Sequence, residues 1–258
     1  MRRALLALGL VAALAGGCGG DDDYTGGESA GGKPQLVVSA ASSMTEALTA
    51  CSKSYPDAEL KLQFAGSDEL AAQIRQGVKP DVFAAANTRL PNELHSEGLL
   101  SKPVVFATNE FVLAVPDGSD IAGLDDLEAT GVKIAIGSES VPVGSYTRTV
   151  LAKLPESESS KILGNVRTQE PDVAGIVGKL TQGAVDAGFV YISDVRATDG
   201  KLKAIELPEA LQPTVGYGVA VVRGAKNGDA AKAFVDGLLD GDGKRALDDA
   251  GFEPPPAQ

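Results

Sequence analysis

The chain contains no tryptophan, one histidine, two cysteines and two methionines in 258 residues, and aromatic side chains make up 5% of it. A single histidine removes every site that needs several imidazole ligands. Two cysteines are too few for a disulfide framework or a cysteine-built zinc or iron–sulfur centre. Basic residues are scarce as well: 23 Lys and Arg face 35 Asp and Glu, for a formal charge of −12. Nucleic-acid binding needs a basic face, so this balance argues against nucleic acid as a partner. What remains is 43% apolar and 22% charged, the composition of a folded globular protein with room for one large α/β domain or two smaller ones.

The first segment has the form of an address. Met1-Arg2-Arg3 is positive, Ala4 to Ala15 is apolar, and Gly16-Gly17 puts small residues before Cys18. Residues 1–18 therefore read as a secretory signal ending in a cysteine, too short to span a membrane as a stable helix. Its end resembles the lipobox of bacterial lipoproteins, although Ala15 stands where that motif expects Leu. The resemblance implies that Cys18 is lipidated and anchors the protein to the outer side of the membrane, in the periplasm or at the cell surface. Arg2-Arg3 leaves Sec and twin-arginine export both open. Residues 19–33, with Asp21-Asp22-Asp23 and six glycines, have almost nothing to bury and read as a flexible linker. Loss of residues 1–17 takes two arginines with it, leaving 21 basic against 35 acidic residues, or −14. Cys51, the cysteine within the body, sits in a helical run and reads as a small buried apolar residue.

From Gln35 onward, short β-type runs alternate with helical patterns, which argues for a mostly parallel sheet covered by helices. Strands are expected at Leu36–Ser39, Leu60–Phe64, Val82–Ala85, Val104–Val115, Val132–Ile136, Val185–Tyr191 and Val215–Val222. Helices are expected at Met44–Ser54, Glu69–Gln76, Asn92–Glu97, Ser145–Leu154, Val173–Gln182 and Asp229–Leu239. The long run through Glu110–Val115 looks like a strand leaving one lobe for another, and Val215–Gly218 looks like its return, with the hinge near both. This predicts two lobes, residues 34–113 with 216–258, and residues 114–215. One doubly wound sheet satisfies the same periodicity.

Ligand chemistry enters at the helix starts. Ser43 follows the first strand with Glu46 three residues on, the pattern of a capping box, which sets a free helix N-terminus at a strand's carboxyl end. Open α/β sheets place ligands there, and exposed N–H groups with the helix dipole favour an anion. Phe64-Ala65-Gly66-Ser67 repeats the arrangement after the second strand. Val141-Pro142-Val143-Gly144 puts proline at another helix entry, and Asp172 is the expected N-cap of a helix beginning at Val173. Tyr191 ends a strand with a phenol. Singly, these read as caps, a turn and a core aromatic; together the four helix starts put two candidate ligand motifs on each proposed lobe.

The same residues carry a family resemblance. Val37 to Ala47, Phe64 to Ala71, Pro80 to Ala86, Val141 to Tyr146, Asp172-Val173, Gly188 to Asp194 and Gly251-Phe252 together resemble the molybdate-binding proteins of ABC importers, across residues 35 to 253. The resemblance implies the two-lobed class II periplasmic binding protein fold, closing on a tetrahedral oxyanion, with two crossover hinge strands. It implies that Ser43 and Ser67 contact the anion through hydroxyl and N–H groups, that Val143 and Val173 give backbone N–H donors, and that the Tyr191 phenol completes the shell. These five touch the metal's oxygens and are not direct metal ligands; Val143 stands where better-known relatives have Ala, and Ser42 beside Ser43 leaves two candidate hydroxyls. The further implications are molybdate or tungstate as ligand, no cofactor, a permease and its ATPase as partners, and a monomer.

The chemistry of such a site is consistent with that ligand. No Lys or Arg lies in the motifs, so the anion would be held by neutral donors, which favour a fully deprotonated species over one whose O–H would oppose an N–H. Molybdate and tungstate meet that condition at neutral pH and phosphate largely does not; sulfate meets it and must be rejected by size. At physiological salt, screening over about 8 Å separates the donor cage from the acidic surface, so affinity is expected to depend weakly on salt. Catalysis lacks its parts: His95 lies in a polar helical stretch read as surface, no Ser-x-x-Lys occurs, and no Gly-Lys pair precedes Ser or Thr. Gly241 to Ala246 nominally fits a dinucleotide fingerprint but follows a helix, so it reads as a helix stop and loop. Arg75 and Arg148 read as solvated helix faces away from the site. Two alternatives stay open: a binding protein for another oxyanion such as sulfate, and a sensor domain of the same fold without transport.

Overall fold

The computed structural model describes residues 32–255. The signal segment, Cys18 and nearly all of the linker lie outside them. In chain order the elements are β1 (Gln35–Ala41), α1 (Thr45–Ser54), β2 (Glu59–Ala65), α2 (Ser67–Arg75), β3 (Val82–Ala85), α3 (Arg89–Ser96), β4 (Val104–Asn109) and β5 (Phe111–Pro116). Next come β6 (Ile134–Gly137), α4 (Pro142–Leu151), α5 (Glu156–Gly164), β7 (Val166–Glu170), α6 (Val173–Thr181), β8 (Ala187–Tyr191), α7 (Ile192–Arg196) and β9 (Leu202–Glu206). The chain continues through β10 (Val215–Val221), α8 (Gly228–Leu239) and α9 (Asp242–Asp249).

Two five-stranded sheets result, ordered β2-β1-β3-β10-β4 and β7-β6-β8-β5-β9. The two orders are the same pattern: three strands pair in parallel, the fourth runs antiparallel, and the fifth returns to the common direction. The reversed strand is in each case the first one after the chain changes sheets. Chain leaving one sheet at a carboxyl end enters the next at its carboxyl edge and must run away from it. Thus β5 opposes β8, and β10 opposes β3. The two carboxyl edges face one another across a cleft, which puts the loop after each parallel strand in position to meet a ligand.

The central strands are buried on both faces: every residue of β3, β6 and β8 is buried, and β5 is buried from Phe111 to Val115. Such near-continuous apolar runs are what a sheet covered by helices requires. The edge strands β2 and β7 alternate instead. That explains what the sequence pattern missed. Val166-Arg167-Thr168-Gln169-Glu170 and Leu202-Lys203-Ala204-Ile205-Glu206 are edge strands too polar to stand out, and α5 buries only Ile162.

Three expectations are corrected. The run Val104–Val115 is two strands, not one: β4 ends at Asn109 in the first sheet and β5 begins at Phe111 in the second, with Glu110 the single residue between. Gly241 to Ala246 is not a helix stop and loop but the start of α9. Gly243 packs there so closely that a Cβ would lie 2.8 Å from Leu238 Cδ2, which is why glycine sits inside a helix start. Arg148 is not a solvated face: its Nη1 donates to the carbonyls of Gly137 and Gly144 at 3.1 and 3.0 Å, tying β6 to the first turn of α4. Cys51 is free and buried, and burial pushes its thiol pKa up, as expected for an inert apolar residue. Among the described residues no helix is long and apolar enough to cross a membrane.

Candidate ligand-binding site

The loops at the facing carboxyl edges enclose one small cavity. Its lining comes from three stretches of the first lobe, Ala41–Ser43, Ala65–Ser67 and Ala86, and from Val141–Val143, Asp172, Val173 and Tyr191 of the second. Ser43, Ser67, Val143, Val173 and Tyr191 are thereby brought together, although up to 148 positions separate them in sequence. The space admits the centre of a water-sized sphere over only about 10 Å³. Drug-sized organic ligands occupy sites of about 300–1,000 Å³, so this cavity suits a small ion. No lysine, arginine or histidine is among the lining residues.

Each donor is set by its local structure. The Ser43 assignment as an N-cap is overturned: residues Ser42–Met44 form a 3-10 turn before α1, and no side chain caps either element. The Ser43 hydroxyl instead bonds Tyr217 Oη at 2.9 Å, so Glu46 has no cap to complete. Ser67 is the first residue of α2, and its hydroxyl accepts the Ala86 N–H at 3.1 Å, which leaves its own hydrogen free. Pro142 opens α4, where its missing N–H costs nothing, and Val143 follows it. Asp172 caps α6 by accepting the Gly175 N–H at 2.9 Å, which leaves the Val173 N–H of the same turn without an intrahelical acceptor.

Tyr191 differs from the others. It is 1% exposed, yet its hydroxyl has no hydrogen-bond partner. A buried polar atom left unpaired costs about 1–3 kcal/mol, a penalty that a bound acceptor would remove. Its backbone N–H donates to Asp194 Oδ2 at 3.0 Å. Burial pushes the Asp194 carboxyl up to about 7, against the lowering pull of that N–H and with the charge of Asp172 adding to the rise. Burial also holds the Tyr191 and Tyr217 phenols well above their ordinary value, so both stay protonated donors at neutral pH.

The lobes touch beyond the cavity. Ser140 Oγ donates to Asp68 Oδ2 across the cleft. A Cβ on Gly66 would stand 2.5 Å from the Pro171 carbonyl, so glycine is what lets the two backbones meet. An aromatic row continues behind the cavity: Tyr191 meets Tyr217 edge-on at 5.8 Å, and Tyr217 meets Phe252 at 5.1 Å. Sequence reasoning missed Tyr217, Asn109, Asp68 and Ser140. Of these only Asp68 stands in a motif, the run from Phe64 to Ala71, and no local signal announces a partner on the other side of a fold. His95 lies away from the lining residues on α3, with Nδ1 3.1 Å from the Leu100 carbonyl.

Comparison with known proteins agrees with this geometry. The molybdate-binding protein ModA of Mycobacterium tuberculosis H37Rv is 33% identical over 261 residues, spanning 98% of this chain and 95% of the relative. Its counterpart from Haemophilus influenzae is 27% identical, spanning 84% and 89%. Among solved structures, a substrate-binding domain of Clostridium difficile assigned to a molybdenum ABC transporter superposes with a TM-score of 0.66 at 31% identity, over 86% of this chain and all of the other. The periplasmic molybdate-binding protein of Azotobacter vinelandii gives 0.76 at 18% identity, over 85% and 99%, which speaks for the fold alone. Residues 36–253 match the family described as bacterial extracellular solute-binding protein, and the chain belongs to that family.

Proposed function

We propose that this chain captures molybdate or tungstate between its two lobes and delivers it to an ABC importer. The observation that carries the reading is the cavity itself: a space of ionic size, lined from both lobes, with hydroxyls and helix-start N–H groups and no basic side chain. The names borne by its relatives point to the same ligand. Neutral donors suit a deprotonated dianion, since each oxygen then accepts and none must donate. Asp172 is the one carboxylate in the lining, and its bond to the first turn of α6 ties part of its charge to the helix N-terminus.

In this reading Ser43 and Ser67 hold the anion from the first lobe, while the N–H groups of Val143 and Val173 and the Tyr191 phenol hold it from the second. Only the closed arrangement satisfies all five, so ligand shifts the population toward closure. Glu110 and the start of β10 are where the chain crosses between lobes and would flex. Membership of an extracellular family puts the protein outside the cytoplasm. A lipid on Cys18 would keep it near a membrane-bound permease and its ATPase.

Calorimetry of the full chain with molybdate, tungstate, sulfate and phosphate at neutral pH tests the ligand. Tight binding of the first two alone supports the reading, and sulfate binding as tightly would move it to the broader oxyanion class. No heat with any anion from folded protein removes it. Affinity is expected to change little between low and high salt, because no charged side chain supplies the attraction. Mass spectrometry of the membrane-extracted protein checks the acyl group on Cys18.

A further inference from the structure

We infer that Tyr217 is a positioning residue for the ligand: it orients the Ser43 hydroxyl so that the serine hydrogen is directed at the bound anion. The inference deepens the oxyanion reading and rests on it. Ser43 is 7% exposed and its Oγ lies 2.9 Å from Tyr217 Oη. Each hydroxyl carries one hydrogen, so one of the two donates and the other accepts. If Ser43 donates to Tyr217, it has no hydrogen for an anion and turns a lone pair toward it. If Tyr217 donates, the Ser43 hydrogen is released to the cavity.

The orientation of the Asn109 amide selects between these. Its Nδ2, which can only donate, lies 2.9 Å from Ser193 Oγ and at a long 3.5 Å from Tyr217 Oη, while its Oδ1 is buried without a partner, so the direction that follows belongs to this orientation of the amide. An N–H approaching the phenol oxygen takes a lone pair there and leaves the phenol hydrogen to Ser43. Donation then runs in one direction, from Asn109 to Tyr217 to Ser43 to the anion. Tyr217 has no route to solvent: it is fully buried, and its ring meets Phe106, Tyr191 and Phe252 edge-on at 6.2, 5.8 and 5.1 Å. Burial keeps it protonated. Asn109 ends β4 at the crossover and Ser193 lies on α7 of the second lobe, so the relay is anchored on both sides of the hinge.

The test is a double-mutant cycle read by calorimetry with sodium molybdate on the full chain. Tyr217→Phe keeps the ring and is expected to weaken binding about tenfold, although Tyr217 is not among the residues lining the cavity. Ser43→Ala is expected to weaken it by a similar factor. The double variant should bind no worse than Ser43→Ala, because without the serine hydrogen there is nothing to orient. Wild-type affinity in Tyr217→Phe, or losses that multiply in the double variant, overturns the inference while leaving the oxyanion site standing. Should Tyr217→Phe fail to fold, Asn109→Asp serves: its carboxylate accepts from the phenol, reverses the relay, and should weaken binding only while Ser43 is present. A wild-type chain that binds none of the four anions removes the site and the relay together.

Discussion

The two lobes share a strand order and differ in what they bring to the cleft. In the first, the side-chain groups at the cavity are hydroxyls already engaged with protein, Ser43 with Tyr217 and Ser67 with the Ala86 N–H, beside the helix-start N–H of Ser67. In the second, the site groups are helix-start N–H groups and a phenol with no partner at all. The buried acids divide the same way. Asp81 of the first lobe accepts the N–H groups of Val37 and Asn227 at 2.9 and 3.0 Å, whereas Asp194 of the second has one N–H and a carboxyl pushed up to about 7. The contrast is confined to the cavity and these two acids, because Asp68 Oδ1 and Asn109 Oδ1 of the first lobe are also buried without a partner. On the proposed oxyanion reading, the unpaired Tyr191 phenol is the group in the cavity that a bound acceptor would reward most.

The contrast can be broken most strongly at Asp194. Its folded pKa of about 7 lies above the 3.8 of an unperturbed carboxyl, so the native state holds the extra proton between those values. Stability therefore falls as pH rises through that window and levels off above it, by a total on the order of 4 kcal/mol. Asp194→Asn keeps an acceptor for the Tyr191 N–H and should flatten the dependence, as denaturant midpoints from pH 4 to 8 would show. A slope unchanged in the variant would assign the titration elsewhere.

Glycines separate closure from folding. A Cβ on Gly144 would overlap the Ser138 carbonyl and meet Gly137 backbone at 2.5 Å within the second lobe, so Gly144→Ala should cost about 3 kcal/mol of stability and lose binding with it. The three atoms nearest a Cβ on Gly66 are Asp68 Oδ1 of its own helix and, from the opposite lobe, the Pro171 carbonyl oxygen and Val141 Cγ2. Gly66→Ala should leave the unliganded melting temperature unchanged while about 1–3 kcal/mol of strain falls on the closed form, roughly 5- to 150-fold in affinity. A lowered melting temperature without ligand would show that the lobes are closed at rest.

Tyr191→Phe should weaken molybdate binding by about 1–3 kcal/mol and leave the unliganded protein as stable or more so, since it deletes an unpaired buried hydroxyl. Ser67→Ala should do the reverse in part: it orphans the Ala86 N–H, costing about 1 kcal/mol of stability along with a similar loss of affinity, while backbone donation survives. Paired melting curves and calorimetry on these two variants measure the difference between the lobes directly. Equal stability changes in both would erase it.

Much of this was legible before any coordinates. The buried strands were visible as apolar runs, Asp172 as an N-cap and Pro142 as a helix entry, because each depends on residues within a few positions. Ser43 shows the limit. Ser followed by Glu three residues on has the form of a cap, but the hydroxyl was claimed by a phenol 174 positions away, and the local pattern lost to the tertiary bond. Glu110 was unreadable for a related reason: β4 and β5 are both apolar, and only pairing with different neighbours divides them.

The amino-acid sequence by itself determined the α/β alternation and the helix starts at strand ends that carry no basic residue, since these follow from periodicity and residue type. Tertiary structure decided which hydroxyls are occupied and which phenol is left unpaired. It also decided where the chain changes sheets and how closely Gly66 approaches Pro171. The division has a physical cause. Caps and periodicities are set by neighbours along the chain, whereas hydrogen-bond satisfaction and steric clearance depend on atoms that only folding brings within a few ångströms.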